Sequence, residues 1–541
     1  MTNGMTNDVL VITISVGIYP PRSQSAGSDR SGTRRLETLI KPHVRKQKGV
    51  PSMKVLAFVL GWLLLVPVVG DSGQAKELST ATSLPPIPLS LDELHSRIDR
   101  THPLLRGAGA EKTIARGKML KALGAFEPTL VNDTELERFI PSSDPGKGTQ
   151  TVGYNDTLVE VLHSSGFRGS AGFRQAIGDA RIPDLSFGDG SRQVVLGGFL
   201  PLLRGLMINP ERAELQRSEL AAPRADIKIA QTRQDLFLAA AYQFWEWVAA
   251  AKLLDVQKRA LAVAQDRYKQ VEERASAGAV AAIDVTEAGQ EVHRRREVAI
   301  TARRLLEQEQ FKLSMFLWDN GSPTIPPLDR VPDFPVARQM PTADDVMKHK
   351  LQAMSERPEV KELEVEAKIN NIDLALAKNN LLPSLDLEAA PARAPEKFVL
   401  GLGYRFGVEL RFPLLQRRSR GEVLQAQGQA ERLVMAQQYR ENQVVVDVDN
   451  ALSAIERARE RMEEASQARR LAEIVEEGEH FRFNVGSSSV LFVNLRERNT
   501  IDAENQVVRA KVEYHKSLAL YQWAIGAWGQ SPIQALPVMY R

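Results

Sequence analysis

Val399-Leu400-Gly401-Leu402-Gly403-Tyr404-Arg405-Phe406-Gly407-Val408-Glu409-Leu410-Arg411-Phe412 is the stretch on which the fold turns. Read as a strand, it puts Leu400, Leu402, Tyr404, Phe406, Val408, Leu410 and Phe412 on one side. Gly401, Gly403, Arg405, Gly407, Glu409 and Arg411 fall on the other. Charge on one face, with nothing polar but a Tyr hydroxyl on the other, suits a wall strand between lipid and water. Its 14 residues exceed the roughly 9–11 that a tilted strand needs to cross a bilayer. The same alternation also describes a half-buried strand of a soluble sheet. What flanks it must decide.

Downstream comes Phe412-Pro413-Leu414-Leu415-Gln416, then a long helical pattern from about 419 to a small break at Val485-Gly486-Ser487. A returning helix follows and ends near Trp528. The same order occurs once before. Leu200-Pro201-Leu202-Leu203-Arg204 precedes a helical pattern from Glu211 to Ala275, a break at Ala277-Gly278-Ala279 and a return ending near Trp318. Upstream of the strands, Pro103 and Pro128 bracket one helical stretch, and Pro358 and Pro383 bracket another of the same 25-residue spacing.

The returning helices carry the repeat in register. Val285, Val292, Ala299, Leu306 and Leu313 recur every seven residues, and a shift of 208 lands on Val493, Thr500, Val507, Tyr514 and Tyr521. The same shift carries Ala240, Trp247 and Leu254 onto Val448, Ile455 and Met462. Two matched heptad seams predict two long antiparallel helical hairpins, each packed along its length. The Glu211–Ala275 pattern would span roughly 95 Å as one helix, with Pro223 placed to kink or delay its start.

Each copy is expected to supply two strands beside its hairpin. Four strands cannot close a barrel, and open edges are not tolerated in lipid, so several subunits must share one wall. The first copy is irregular. Val194, Leu196, Leu200 and Leu202 keep the apolar parity, but Gly198 breaks it. Pro128 and Pro201 stand 73 positions apart, whereas Pro383 and Pro413 stand 30 apart. The surplus, about 140–189, has the composition of an enlarged outer loop or an additional hairpin.

Composition narrows the class. Among 541 residues, 70 basic and 67 acidic side chains nearly cancel, which argues against a nucleic-acid binder. Cysteine is absent, excluding disulfides, thiolate metal sites and a lipid-modified amino-terminal cysteine. Met53-Lys54, the apolar run Val55–Val69 and Gly73-Gln74-Ala75 read as a signal peptide over 53–75, cut after Ala75. A membrane anchor is the competing reading, but the run falls short of the ~20 residues a helical span needs. Residues 1–52 read as an unstructured upstream extension or a mis-assigned start. The first repeat then occupies 76–330, with strands and loop at about 127–203 and a hairpin at about 209–318. The second occupies 331–541, with strands at about 384–414 and a hairpin at about 419–526.

A signal, two copies of helix, strand pair and long hairpin, and Pro-Leu-Leu at the strand-to-helix passage together resemble the TolC-like outer-membrane efflux proteins. Ser419-Arg420-Gly421 after the Phe-Pro-Leu-Leu element, and Phe492-Val493-Asn494-Leu495-Arg496-Glu497 after Gly486, add to the likeness. The resemblance covers nearly all of residues 90–530. It implies a mainly α fold with a small membrane β-sheet: a homotrimeric α-barrel continuous with a shared twelve-stranded β-barrel, set in outer-membrane lipid with helices reaching into the periplasm. It implies an exit duct of a tripartite efflux or secretion system, with a periplasmic adaptor and an inner-membrane pump as partners. It places adaptor contacts at the tips Ala277, Gly278, Ala279, Val485, Gly486 and Ser487. Well-studied members carry two carboxylates after the second tip glycine; here those positions are Phe492 and Leu495. A cation-selective ring is therefore not expected, and Asp284, Phe492 and Leu495 form a less acidic, partly apolar periplasmic gate. Asp284 could equally serve as a helix-start carboxylate.

Catalytic chemistry finds no support. The eight histidines are scattered, Gly401-Leu402-Gly403 lies inside a strand, and Pro145-Gly146-Lys147-Gly148-Thr149 lacks the spacing of a phosphate loop. Arg459 with Glu463 and Arg498 with Asp502 read as i,i+4 pairs on a solvated helix face. Tyr242, Trp245 and Trp247 read as packing. The expectation is a non-enzyme with no cofactor, no metal and no nucleic-acid partner. A periplasmic adaptor or coiled-coil scaffold without a pore is the alternative. It accounts for the helices but leaves the 400–412 strand unexplained.

Overall fold

The computed structural model describes residues 10–14, 87–140, 146, 148–177, 181–182, 185–186, 192–337, 339–391 and 404–529. The signal peptide expected over 53–75, Leu400 and Leu402 lie outside the described residues.

Helices dominate. After α1 (Leu91–Thr101) and α2 (Pro103–Leu123) come four long strands and a two-residue ladder (Arg181–Ile182 with Leu185–Ser186), then α3 (Pro210–Glu219), α4 (Ala221–Ser276) and α5 (Ala282–Ser314). The order resumes with α6 (Ala343–Glu356) and α7 (Pro358–Asn379), two strands, α8 (Arg417–Asn484) and α9 (Val490–Ala524). Proline at the first helical position starts α2, α3 and α7, where its fixed φ is already helical and no N–H is missed. Thr342 and Asp345 close a capping box on α6. At 68 residues α8 extends roughly 100 Å. The helix expected from Glu211 to Ala275 is interrupted at Leu220. Pro223 cannot donate to the ladder, and its ring crowds the carbonyl four residues back, so α3 ends at Glu219 and α4 begins afresh.

Sheet order decides the architecture. The strands of the main sheet are β1 (Leu10–Ile14), β2 (Thr129–Phe139), β3 (Gln150–Leu162), β4 (Arg168–Ile177), β5 (Arg192–Pro201), β6 (Ser384–Pro391) and β7 (Tyr404–Phe412). They form one antiparallel sheet in the order β1-β7-β6-β5-β4-β3-β2. The registers Asp386 with Pro201, Arg168 with Phe199 and Thr129 with Glu160 align the strand ends that adjoin the helices. The expectation of two strands from each half fails for the first. It contributes four, because the surplus residues build β3 and β4 inside the sheet, between β2 and β5.

The core lies where helices meet. Leu94, Phe237, Phe244, Trp245, Trp247, Leu306 and Leu313 bury together around α4. Val444, Val448, Ile455, Tyr514 and Tyr521 do so around α8 and α9. The seven-residue positions Val493, Val507, Tyr514 and Tyr521 are buried, as are Val292, Leu306 and Leu313 on α5. Trp245 and Trp247 are packing residues. Near the tips the seam thins to Val271, Ala288 and Val490. Among the described residues no helix is long and apolar enough to cross a membrane.

Candidate functional site

The strand registers assign every described side chain of β2–β7 to one of two faces. Leu385 lies opposite Leu410, Leu387 opposite Val408 and Leu200 opposite Leu387, so these share a face with Phe406 and Phe412. Continuing across the sheet, that face carries Leu196, Gly198, Ala171, Phe173, Val159, Val161, Leu130 and Leu136. Its side chains are open: Leu130 is 70% exposed, Phe173 60% and Phe406 55%. The other face holds Asp133, Glu135, Asp156, Glu160, Arg168, Arg174, Asp386, Glu388, Glu409 and Arg411. Among the described residues only Arg138 puts a charge on the apolar face, at the strand end far from the helices.

On the charged face the groups pair with one another. Arg174 clamps the buried carboxylate of Asp156 and lies 4.6 Å over the Tyr154 ring, whose hydroxyl donates to Glu135 at 2.7 Å. On the apolar face four polar side chains form a closed set. Asn132 donates to Thr157 at 2.7 Å and to Asn155 at 3.3 Å, and Asn155 donates to Asn132 at 3.2 Å and Thr134 at 2.5 Å. Mutual satisfaction lowers the penalty such groups would meet in an apolar medium.

Gly198, which breaks the apolar parity, has a cover that sequence reading missed. The Phe167 ring, from the turn between β3 and β4, lies against Gly169 and Gly198; a Cβ built on Gly198 would stand 2.9 Å from it. Glycine there is the space an aromatic side chain occupies. No periodicity in the sequence signals this, because Phe167 sits in a turn.

The two tips have the same construction. Gly278 and Gly486 adopt φ of 74° and 79°, a region open to glycine without a Cβ penalty. In the first, Ala279 N donates to the Arg274 carbonyl at 2.8 Å; in the second, Ser487 N donates to Arg482 at 2.9 Å. Both are Schellman endings. Ala277, Ala279, Val485 and Ser487 are exposed beside them. Asp284 accepts from the Ala281 N–H at 3.2 Å and caps α5. Phe492 and Leu495 lie on the open side of α9, 51% and 43% exposed, while Val493 and Asn494 turn inward.

Behind the tips, α4, α5, α8 and α9 converge on a buried ionic cluster. Arg267 donates to Asn494 at 2.7 Å and pairs with Glu497, and Arg498 reaches Glu291 at 2.6 Å. Arg498 thus bridges two helices and does not form the solvated pair with Asp502 expected from its spacing; Arg459 does pair with Glu463, at 3.1 Å. Burial pushes the Glu291 carboxyl up, but hydrogen bonds from Arg294 and Arg498 and the charge of Arg295 outweigh it and hold it at about 2. Burial lowers Arg267 to about 10, which leaves it a cation at neutral pH. Glu476, His480 and Glu497 bring three potential metal-ligand atoms within 4.8 Å of one another. Arg267 already supplies the positive charge there, so the cluster reads as an ion-pair network.

No family model matches the sequence, and no curated protein matches it. Solved structures do match. The CmeC outer-membrane channel of Campylobacter jejuni superposes with a TM-score of 0.59 at 13% identity, covering 81% of this chain and 85% of that one. The open state of the MtrE outer-membrane channel of Neisseria gonorrhoeae gives 0.56 at 17%, covering 81% and 88%. The outer-membrane protein VceC of Vibrio cholerae gives 0.58 at 14%, covering 81% and 96%. With strands based on helices of 56 and 68 residues, this chain has the fold of the TolC-like outer-membrane channels.

Proposed function

We propose that the chain is a passive exit duct of the outer membrane, working as a homotrimer in a tripartite efflux or secretion system. One observation carries the reading: a sheet with its charges on one face and exposed apolar side chains on the other stands at the end of helical hairpins some 80–100 Å long. A soluble protein rarely leaves so large an apolar face uncovered. Lipid covers it here, and the charged face lines water. The element order α1–α5 and α6–α9, each interrupted by strands, supports a tandem repeat in which the chain's two hairpins, one per repeat, help build a periplasmic tunnel.

In this duct the tips at Ala277–Ala279 and Val485–Ser487 meet a periplasmic adaptor, which couples the tunnel to an inner-membrane pump. Phe492 and Leu495, open in the single chain, line an apolar constriction beside Asp284. Energy comes from the pump, so the chain needs no catalytic group. Membrane fractionation and planar-bilayer recording test the reading together. A duct pellets with the outer membrane, requires detergent and conducts ions. An adaptor or scaffold is released by salt and conducts nothing.

A further inference from the structure

We propose that the membrane wall of this duct contains eighteen strands, six from each of three copies, joined through β2 of one copy and β7 of the next. The inference rests on the trimeric duct reading and deepens it by naming the interface and the bore. Barrel diameter grows nearly in proportion to strand number, so the bore is about one and a half times that of a twelve-stranded wall. The partner that fits each open sheet edge is a second copy of this chain.

The argument begins with where β3 and β4 lie. A hairpin hanging from the outer rim would leave β2 paired with β5. Instead β3 pairs with β2 from Thr129–Glu160 to Phe139–Gln150, and β4 pairs with β5 from Arg168–Phe199 to Gln175–Arg192. Among the described residues no ladder joins β2 to β5. The inserted strands have 13 and 10 residues, like β2 at 11 and β5 at 10, and each is long enough to cross a bilayer. Their connecting turn comes back to the helical end of the sheet, where a Cβ on Gly166 would stand 2.7 Å from the Gly205 carbonyl and 2.8 Å from Pro201. The hairpin therefore runs the full height of the wall.

Face polarity continues through the insertion. Val159, Val161, Ala171 and Phe173 extend the apolar face, while Asp156, Glu160, Arg168 and Arg174 extend the charged one. A surface hairpin would have no reason to keep this division in step with β5–β7. The side-chain amides of Asn132 and Asn155 spend their N–H donors on each other and on the Thr157 and Thr134 hydroxyls, so neither amide interrupts the wall with an unpaired donor.

The edges then fix the contact. β2 has β3 on one side and, among the described residues, no strand on the other. The far edge of β7 meets β1, which pairs from Leu10–Phe412 to Ile14–Val408. At five residues β1 is shorter than a wall strand, and it lies upstream of the signal peptide expected over 53–75, so cleavage after Ala75 would remove it. The mature sheet ends in two bare edges that lipid cannot hydrogen-bond. β2 rises from the helical end and β7 returns to it, so one copy's β2 meets the next copy's β7 antiparallel, as in every other pair of the wall.

Electron cryo-microscopy of the full chain, matured in an outer membrane and transferred to lipid nanodiscs, tests this, with native mass measured on the same sample. Three copies and eighteen wall strands, with β3 and β4 in the bilayer, are expected. Three copies around twelve strands, with residues 140–191 outside the wall, would overturn the wide barrel and leave the duct intact. A chain that does not enter nanodiscs as an oligomer would overturn the duct and the barrel together.

Discussion

Phe167 fills, from a turn, a space that Gly169 and Gly198 leave on the sheet. Replacing Gly198 by Val drives a branched side chain into the Phe167 ring, and overpacking of this kind costs about 1–3 kcal/mol. Phe167→Ala alone uncovers the glycines and is destabilising too. The double variant Phe167→Ala/Gly198→Val should recover much of the loss, since the new side chain occupies the vacated space. The temperature at which the detergent-extracted oligomer loses its mobility on a gel reads the coupling; strictly additive losses would place Phe167 elsewhere. A second residue carries a pH dependence. His95 stacks on Phe237 at 4.1 Å and lies edge-on to Trp528 at 5.1 Å. Burial depresses it from 6.5 to about 4, despite its hydrogen bond to the Phe237 carbonyl and the nearby Asp92 and Asp99. The native state refuses a proton that the unfolded chain takes up. Its stabilising contribution is therefore complete above about pH 6.5 and is lost as pH falls toward 4, about 3 kcal/mol in all. His95→Phe keeps a ring in the stack, and its melting temperature should fall less than the parent's between pH 7 and pH 4.5.

Among elements, the tip turns and the start of α9 separate folding from function. A Cβ at Gly486 meets nothing within 4 Å, so Gly486→Ala strains only the backbone. The cost should be about 1 kcal/mol in thermal unfolding. If the tip is an adaptor surface, capture by a cognate adaptor weakens by more than that loss explains. Phe492 is open in the single chain, and Phe492→Ala should raise resting conductance in a planar bilayer; an unchanged pore would remove it from the constriction. Elements of this kind were legible in the sequence for definite reasons. Alternation at 404–412 is a period of two, and the seams at 285–313 and 493–521 are a period of seven. Each period reports a face that must be covered. The β3–β4 hairpin was legible only as surplus length, because Gly, Ser, Asp and Thr positions blur its alternation. The ionic cluster of Arg267, Glu291, Asn494 and Glu497 was not legible at all. Those side chains look like any solvated helix face until four helices converge on them.

For the whole molecule, the absence of cysteine turns the proposed subunit seam into a direct measurement. Leu130 stands near the helical end of β2 and Leu410 near that end of β7, both on the apolar face. Barrels stagger neighbouring strands, so Leu130→Cys is best paired in turn with Phe406→Cys, Val408→Cys and Leu410→Cys to meet whichever position comes opposite. In one copy these sites are separated by the full width of the sheet, so a disulfide can form only between copies. Opposed antiparallel residues lie about 4.5–5.5 Å apart, within disulfide reach. At least one pair should yield dimers and closed trimers on a non-reducing gel, reversed by a thiol reductant. Phe173→Cys combined with the same β7 substitutions should yield none, because β4 is flanked on both sides by strands of its own chain. Cross-linking through Phe173 would mean that β4 is an edge, and the copies would then meet somewhere other than at β2.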